Sequence, residues 1–241
     1  MVLVRFEHPS SGMPTESKLT ATSIQAEAET FSLPDVRLLP PCVPTKIVCV
    51  GRNYADHAKE LGNTVPEKPL LFLKPPSAVI GPEDAIILPT SEEVHYEAEL
   101  AIVIGKRCKN VAAADAASVI LGYTCMNDVS DRVAQRWETN WIRAKAFDTS
   151  APLGPAILTS DEANEPFHVT LRLNGEVRQE GWTSDLYFSI PILIETISGI
   201  MTLEPGDVIA TGTPAGVGAL TRGDVVEVAI DGIDILRNPV Q

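Results

Sequence analysis

Proline placement constrains this chain more than any other feature. Six of its 19 prolines (Pro66, Pro69, Pro75, Pro76, Pro82 and Pro89) crowd into one stretch, separated by brief apolar runs such as Leu70-Leu-Phe-Leu73. Proline fixes φ and donates no backbone hydrogen bond, so this stretch excludes long helices and predicts extended segments joined by turns. A second cluster, Leu38-Leu-Pro-Pro-Cys-Val-Pro44, also restricts the residue before each proline and reads as a boundary. Residues 1–45 are expected to form a small N-terminal segment, with a strand at 2–6 and then a polar stretch rich in Ser, Thr and Glu. Residues 46–241 are expected to form the main domain.

Beyond the boundary, Lys46-Ile-Val-Cys-Val50 is a β-branched run that predicts a buried strand. Residues 53–61 predict a short helical turn stopped by Gly62. Strands are expected at 96–104 and 120–126, and helices at 112–119, 129–139 and 190–201. Asn174-Gly175 and Asp231-Gly232 each sit between apolar β-prone runs and predict two hairpins. Strands outnumber helices and do not alternate with them regularly. The fold class is therefore α+β, a β-rich domain with short helices.

A length of 241 residues suits one sizeable core. The formal net charge of −13 repels phosphate backbones, and no Lys/Arg cluster offsets it locally, so nucleic acid is not an expected partner. No run approaches the roughly 18 apolar residues of a membrane span, and the first residues lack the pattern of a secretory or transit peptide. The four cysteines show no Cys-x-x-Cys pair and are expected to be reduced and packed. Together these features predict a soluble, cytoplasmic protein without a membrane partner. An anionic substrate would then need a local cationic device, either a bound metal or a few placed basic side chains.

The segment Val94-His-Tyr-Glu-Ala-Glu-Leu-Ala-Ile-Val-Ile-Gly105 carries the most chemical information. On a strand, residues two apart share a face, so Glu97 and Glu99 point one way and Tyr96, Ala98 and Leu100 the other. Two carboxylates facing one volume repel each other unless a cation lies between them, although a solvated acidic face has the same pattern. The apolar run that follows argues for burial, and a buried pair needs a counter-charge. Asp128 offers a third carboxylate, or else caps the helix expected after it. Three carboxylates suit Mg²⁺ or Mn²⁺, and Ca²⁺ can take the same oxygen ligands in a crystal. His95 shares the face and is a further candidate.

His57 and Glu60 lie three apart in the short helical turn and can hydrogen-bond, the arrangement that makes a water nucleophilic; a surface pair reads the same way. Flanking Gly51-Arg-Asn-Tyr54 and Gly62 suggest a lid. Thr211-Gly-Thr-Pro-Ala-Gly-Val-Gly218 is a Gly-rich loop suited to a carboxylate or phosphate, or an ordinary tight turn; it matches neither a Walker loop nor a dinucleotide fingerprint.

In order, Gly51-Arg-Asn-Tyr-Ala-Asp-His57, Tyr96-Glu-Ala-Glu-Leu-Ala-Ile-Val-Ile-Gly105, Asn127-Asp-Val-Ser130, Lys145-Ala-Phe-Asp-Thr149 and Thr211-Gly-Thr-Pro-Ala-Gly-Val-Gly218 closely resemble the fumarylacetoacetate hydrolase family, in particular its small acylpyruvase-like members. The resemblance runs from about residue 38 to the end of the chain. It implies a mixed β-roll with flanking short helices and a homodimer. Glu97, Glu99 and Asp128 would bind Mg²⁺ or Mn²⁺, and His57 with Glu60 would activate water. Lys145 would stabilise developing negative charge, Gln135 would line the pocket and Thr213 would contact the substrate carboxylate. Arg52, Tyr54, Arg132 and Gly212 complete the implied substrate-binding set. Where family members often read Val-Ser-Ala-Arg-Asp-Leu-Gln, this chain has Val129-Ser-Asp-Arg-Val-Ala-Gln135, departing at Asp131 and Val133.

The expected activity is cleavage of a carbon–carbon bond in a small 2-oxo or 2,4-dioxo acid through an enolate, as an acylpyruvate hydrolase or oxaloacetate decarboxylase. An isomerase or dehydratase using the same enolate, and a non-catalytic metal- or carboxylate-binding protein, are the alternatives.

Overall fold

A computed structural model describes residues 1–20, 23–26 and 29–241. It is strand-rich, with few short helices: the α+β class expected from the pattern. Ala21, Thr22, Glu27 and Ala28, in the polar N-terminal stretch, lie outside the described residues.

The central sheet runs through Glu29–Ser32, Ser23–Ala26, Pro14–Thr20, Val2–Glu7, Ala151–Thr159, Ile120–Asn127, Ala98–Ile104, Val208–Ala210, Ile47–Gly51 and Leu70–Lys74. Three of these strands, Pro14–Thr20, Ser23–Ala26 and Glu29–Ser32, come from the polar stretch of the N-terminal segment, where none was expected beyond the strand at 2–6 that precedes it. In Pro14–Thr20 exposed and half-buried residues alternate, so the side chains carry little hydrophobic signal. Val2–Glu7 pairs with Ala151–Thr159, which attaches these N-terminal strands to the edge of the main sheet.

A second sheet of Glu176–Trp182, His168–Leu173, Val225–Ile230 and Ile233–Pro239 packs against one face of the first. Both predicted hairpins are in it, with Asn174 and Gly175 at φ 53° and 83° as a tight two-residue turn requires. Along Ala98–Ile104, Leu100, Ile102 and Ile104 join the core shared with the second sheet and with helix Ile190–Ile200, while Ala101 and Val103 join the core on the opposite face. The strand is buried on both faces, which is why its sequence reads as a continuous apolar run. No helix among the described residues is long and apolar enough to cross a membrane.

Two boundaries differ from expectation, and both matter for the site. The run at 96–104 divides at Glu97 into Val94–Tyr96 and Ala98–Ile104. The first piece pairs with Ser130–Asp131 and Gly218–Ala219, the second with Ile120–Asn127 and Val208–Ala210, so Glu97 stands where the chain passes from one sheet to the other. The helix expected at 129–139 spans only Arg132–Trp137. Its N-cap is Asp131, whose side chain accepts from the Ala134 amide at 3.0 Å, while Asp128 is left free of capping.

Candidate metal centre and its cavity

Glu97 and Glu99 keep the shared face predicted for them. Their main-chain neighbours explain how: the break at Glu97 is bridged by Asn127, whose Oδ1 accepts from the Glu97 amide at 2.9 Å, and the Asp128 amide donates to the Glu97 carbonyl at 2.8 Å. One strand end thus delivers Glu97 and the next delivers Asp128. Carboxylate oxygens of Glu97, Glu99 and Asp128 all lie within 4.8 Å of one another, and all three residues are buried. They face a cavity of about 450 Å³.

Burying three carboxylates so close together demands positive charge. Lys145 Nζ donates to Glu97 Oε2 and Asp128 Oδ2, both at 2.7 Å. Arg132 Nη2 reaches Glu97 Oε1 at 2.5 Å, and Lys74 Nζ lies 2.8 Å from Asp128 Oδ1. Burial opposes the ionisation of Glu97, but Lys145 and Arg132 prevail and hold its carboxyl well below the usual range. Glu99 has no such partner. Burial, then Asp128 and Glu97, push its carboxyl well above the usual range, opposed by the charge of Lys145 and by the Gly212 amide donating to it at 2.8 Å. A carboxylate disfavoured by burial and by two like charges, with one oxygen still unbonded, fits a cation. The oxygen-only donor set fits a hard divalent ion and gives a soft one no sulfur or nitrogen ligand.

Lys74 went unremarked in the sequence, although it ends the apolar run Leu70-Leu-Phe-Leu and precedes Pro75-Pro76. A lysine continuing an apolar strand was the available signal. It is fully buried and donates to the carbonyls of Val129 (3.2 Å), Ser150 (2.8 Å) and Lys145, pinning the segments that carry Asp128 and Lys145. Gln179 was also missed. It accepts from the Ala98 amide at 2.9 Å and donates to Thr213 Oγ1 and the Pro214 carbonyl at 2.7 Å, tying the ligand strand to the Gly-rich loop.

His57 Nδ1 lies 3.3 Å from Glu60 Oε2, and His57 lines the cavity. Burial lowers its pKa, with Glu97 and Glu60 pulling the other way, so the ring is neutral at pH 7. Glu60 accepts in turn from the Gly216 amide at 3.0 Å, which docks the Ala55–Glu60 helix on the Gly-rich loop. Only glycine fits there: φ is 102°, and a Cβ would lie 2.1 Å from the Arg178 carbonyl oxygen. Amides of this loop are therefore spent on Glu99 and Glu60. Thr213 does line the cavity, and because Gln179 donates to its oxygen, its hydroxyl proton is free to be donated.

Arg52, Arg132, Gln135 and Lys145 line the same cavity, and Gln135 accepts from Arg132 Nη1 at 2.7 Å. Arg52 sits at φ 59°, between strand Ile47–Gly51 and helix Ala55–Glu60. Tyr54 and Gly212 stand behind the lining; Tyr54 is buried, and burial followed by Glu99 pushes its phenol above the usual range. His95 lines the cavity but lies outside the carboxylate cluster, its Nε2 3.1 Å from Glu93.

On a strand-rich α+β scaffold, a buried cluster of three carboxylates that could hold a divalent ion, a lysine bridging two of its acids and an imidazole thus share one cavity. The chain belongs to the fumarylacetoacetate hydrolase family, whose model for the fumarylacetoacetate (FAA) hydrolase C-terminal region matches residues 46–241. It is 45% identical to the mitochondrial oxaloacetate tautomerase FAHD2A of Bos taurus over 84% of this chain and 68% of that one. A crystal structure of 5-carboxymethyl-2-hydroxymuconate delta-isomerase from Mycobacterium smegmatis superposes with a TM-score of 0.92 at 45% identity, covering 100% of this chain and 98% of the other. Maleylpyruvate hydrolase from Sphingobium sp. SYK-6, solved with manganese(II) and pyruvate, gives 0.84 at 34% identity, covering 100% and 98%.

Proposed function

We propose that this protein is a metal-dependent enzyme that forms the enolate of a small 2-oxo acid and moves a proton at its C3, as a tautomerase or isomerase. The observation that carries the reading is the single cavity faced by the three buried carboxylates, Lys145 and neutral His57. Glu97, Glu99 and Asp128 would hold Mg²⁺ or Mn²⁺, which when bound supplies two positive charges to the substrate's carboxylate and keto oxygens.

The charges support a dianion. Glu97, Glu99 and Asp128 carry three formal negative charges, and Lys74, Lys145 and Arg132 three positive ones, so the centre is balanced before a divalent ion enters. An enolate with its own carboxylate brings two negative charges and restores neutrality once that ion is bound. Lys145, whose three N–H groups go to Glu97, Asp128 and the Ser130 hydroxyl, keeps a positive charge in the cavity that stabilises the developing enolate electrostatically. His57, unprotonated and oriented by Glu60, takes the proton from C3 and delivers it to the C2 oxygen in a tautomerase, or to a conjugated carbon further along the chain in an isomerase. Thr213 donates its hydroxyl to the substrate carboxylate.

Carbon–carbon cleavage is the second reading, supported by the likeness to maleylpyruvate hydrolase. There His57 would deliver water to the C4 carbonyl of a 2,4-dioxo acid, and the same enolate would leave. The higher identity to the tautomerase and the isomerase favours proton transfer. The test follows oxaloacetate enol absorbance and acetylpyruvate consumption with Mg²⁺ or Mn²⁺, with and without EDTA. Enol–ketone interconversion abolished by EDTA, and cut at least about 100-fold by His57→Asn, is the expected result. Acetylpyruvate cleavage without tautomerase activity would establish the second reading, and inactivity on both would reject enolate chemistry.

A further inference from the structure

From the cavity mouth inward, Glu93, His95, Glu97 and Glu99 all line the cavity, while the residues between them, Val94, Tyr96 and Ala98, lie in the core. The facing helix Arg132–Trp137 presents Arg132, Gln135 and Arg136 to the same space, the i, i+3, i+4 set of one helix face. Strand and helix are joined by two guanidinium–carboxylate rungs. The inner rung is Arg132–Glu97 at 2.5 Å, the outer Arg136–Glu93 at 2.7 Å.

The rungs differ in one respect. Side-chain exposure is 6% and 5% on the inner rung and 63% and 36% on the outer. The inner pair is fixed beside the metal ligands. The outer pair is screened by solvent and cheap to exchange. Glu93 also lies 3.1 Å from His95 Nε2, so its carboxylate is held by two groups that line the cavity, a binding mode that a ligand carboxylate can copy. The main chain at Glu93 is anchored independently, its carbonyl accepting from the Arg132 amide at 2.9 Å, so the side chain can swing away without loosening the strand.

We propose that this outer rung is a specificity gate: Glu93 occupies Arg136 and His95 until the tail carboxylate of a 2-oxo dicarboxylic acid displaces it. This rests on the 2-oxo acid reading above and adds where the second charge of the substrate is read. The two arginines stand about 6 Å apart along the helix, so the reader lies a few bonds beyond the inner rung. Arg136 is thereby a specificity-determining residue and Glu93 a tethered competitor.

Calorimetric binding to the Mn²⁺-loaded protein tests the gate apart from turnover. Oxalate, which copies only the carboxylate and adjacent carbonyl, probes the inner end. The tail is probed by the matched pairs 2-oxoglutarate with 2-oxopentanoate and 2-oxoadipate with 2-oxohexanoate. The gate predicts that the dicarboxylate binds more tightly in at least one pair, and that Arg136→Gln shrinks that preference roughly fivefold. Glu93→Gln should enlarge the preference, and the double variant should match Arg136→Gln, because the competitor matters only while its arginine is present. Oxalate binding with the preference unchanged in Arg136→Gln, or with dicarboxylate binding weakened in Glu93→Gln, overturns the gate alone. Failure of oxalate to bind removes the 2-oxo acid reading and the gate with it.

Discussion

At the scale of single residues, the proposed chemistry depends on keeping opposite protonation states in one cavity. Lys145 feels burial pushing its proton off, yet Asp128 and then Glu97 raise its pKa above the ordinary value, so it stays a cation. His57 is treated the opposite way, lowered from an ordinary value of 6.5 chiefly by burial. A base with a depressed pKa is competent above that pKa and is lost as pH falls through it. The acid limb of kcat/KM should therefore lie below 6.5. Glu60 raises the imidazole pKa through its hydrogen bond and its charge, so Glu60→Gln should move the limb to still lower pH and lower the plateau, since a weaker base is a slower one. Rate profiles between pH 4 and 8 check this, and a limb that moves upward in Glu60→Gln contradicts it. The Glu97–Glu99 and His57–Glu60 pairs were legible in the sequence because their partners are local, two apart on a strand and three apart on a helix, whereas Asp128 read equally as a helix cap and joined them only through the family resemblance. Lys74 and Gln179 were not, because what makes them important is contact with Asp128 and with Thr213, across 54 and 34 residues of chain.

At the scale of elements, the departure from the family pattern at 131–133 finds its reason in the Arg132–Trp137 helix. Asp131, at the place where relatives often carry alanine, caps that helix by accepting from Ala134 and is held in turn by the Ser91 hydroxyl at 2.8 Å. The acid has moved from inside the first turn to the position before it, where a side-chain acceptor satisfies an otherwise open amide. Such a short helix gains little from its own propensity, so its cap matters more than usual. Asp131→Ala should cost about 1 kcal/mol, a fall in Tm of roughly 2–4 °C for a chain of this size. Asp131→Asn keeps the acceptor and should stay near the parent, and equal losses in both would assign the effect to charge instead. Hairpins, the apolar helix and the buried strands were readable from period and turn residues. The edge strands of the polar N-terminal stretch were not, because main-chain pairing and neighbouring strands define them, not side-chain pattern. The break at Glu97 escaped for a related reason: a two-residue period continues through it, and only the change of pairing partners reveals it.

At the scale of the molecule, the centre lies where the central sheet, the small sheet of Val94–Tyr96 and the Gly-rich loop meet, so its ligands are fixed by elements that pack whether or not a metal is bound. Its charges argue the same way. Three formal negative charges face three formal positive ones, and each base is hydrogen-bonded to an acid, to main-chain carbonyls or to Gln135. Metal removal therefore differs here from a site whose ligands have no other partner, where folding and metal binding are one event. Protein stripped with EDTA should keep its far-ultraviolet circular dichroism and unfold in a single cooperative step. Restoring Mn²⁺ at about 100 times its Kd should add roughly 2.7 kcal/mol, a rise of about 5–11 °C in Tm. Glu99 is the acid with most to gain, being disfavoured by burial and by both neighbours, so Glu99→Gln should erase most of that rise while changing the stability of the stripped protein little, since burial and the two acids already favour the neutral, protonated form that Gln copies. A calorimetric scan of both proteins with and without Mn²⁺ decides it: if stripping unfolds the parent, or if Glu99→Gln strongly destabilises the metal-free form, the reading of this centre as folded without its metal is wrong.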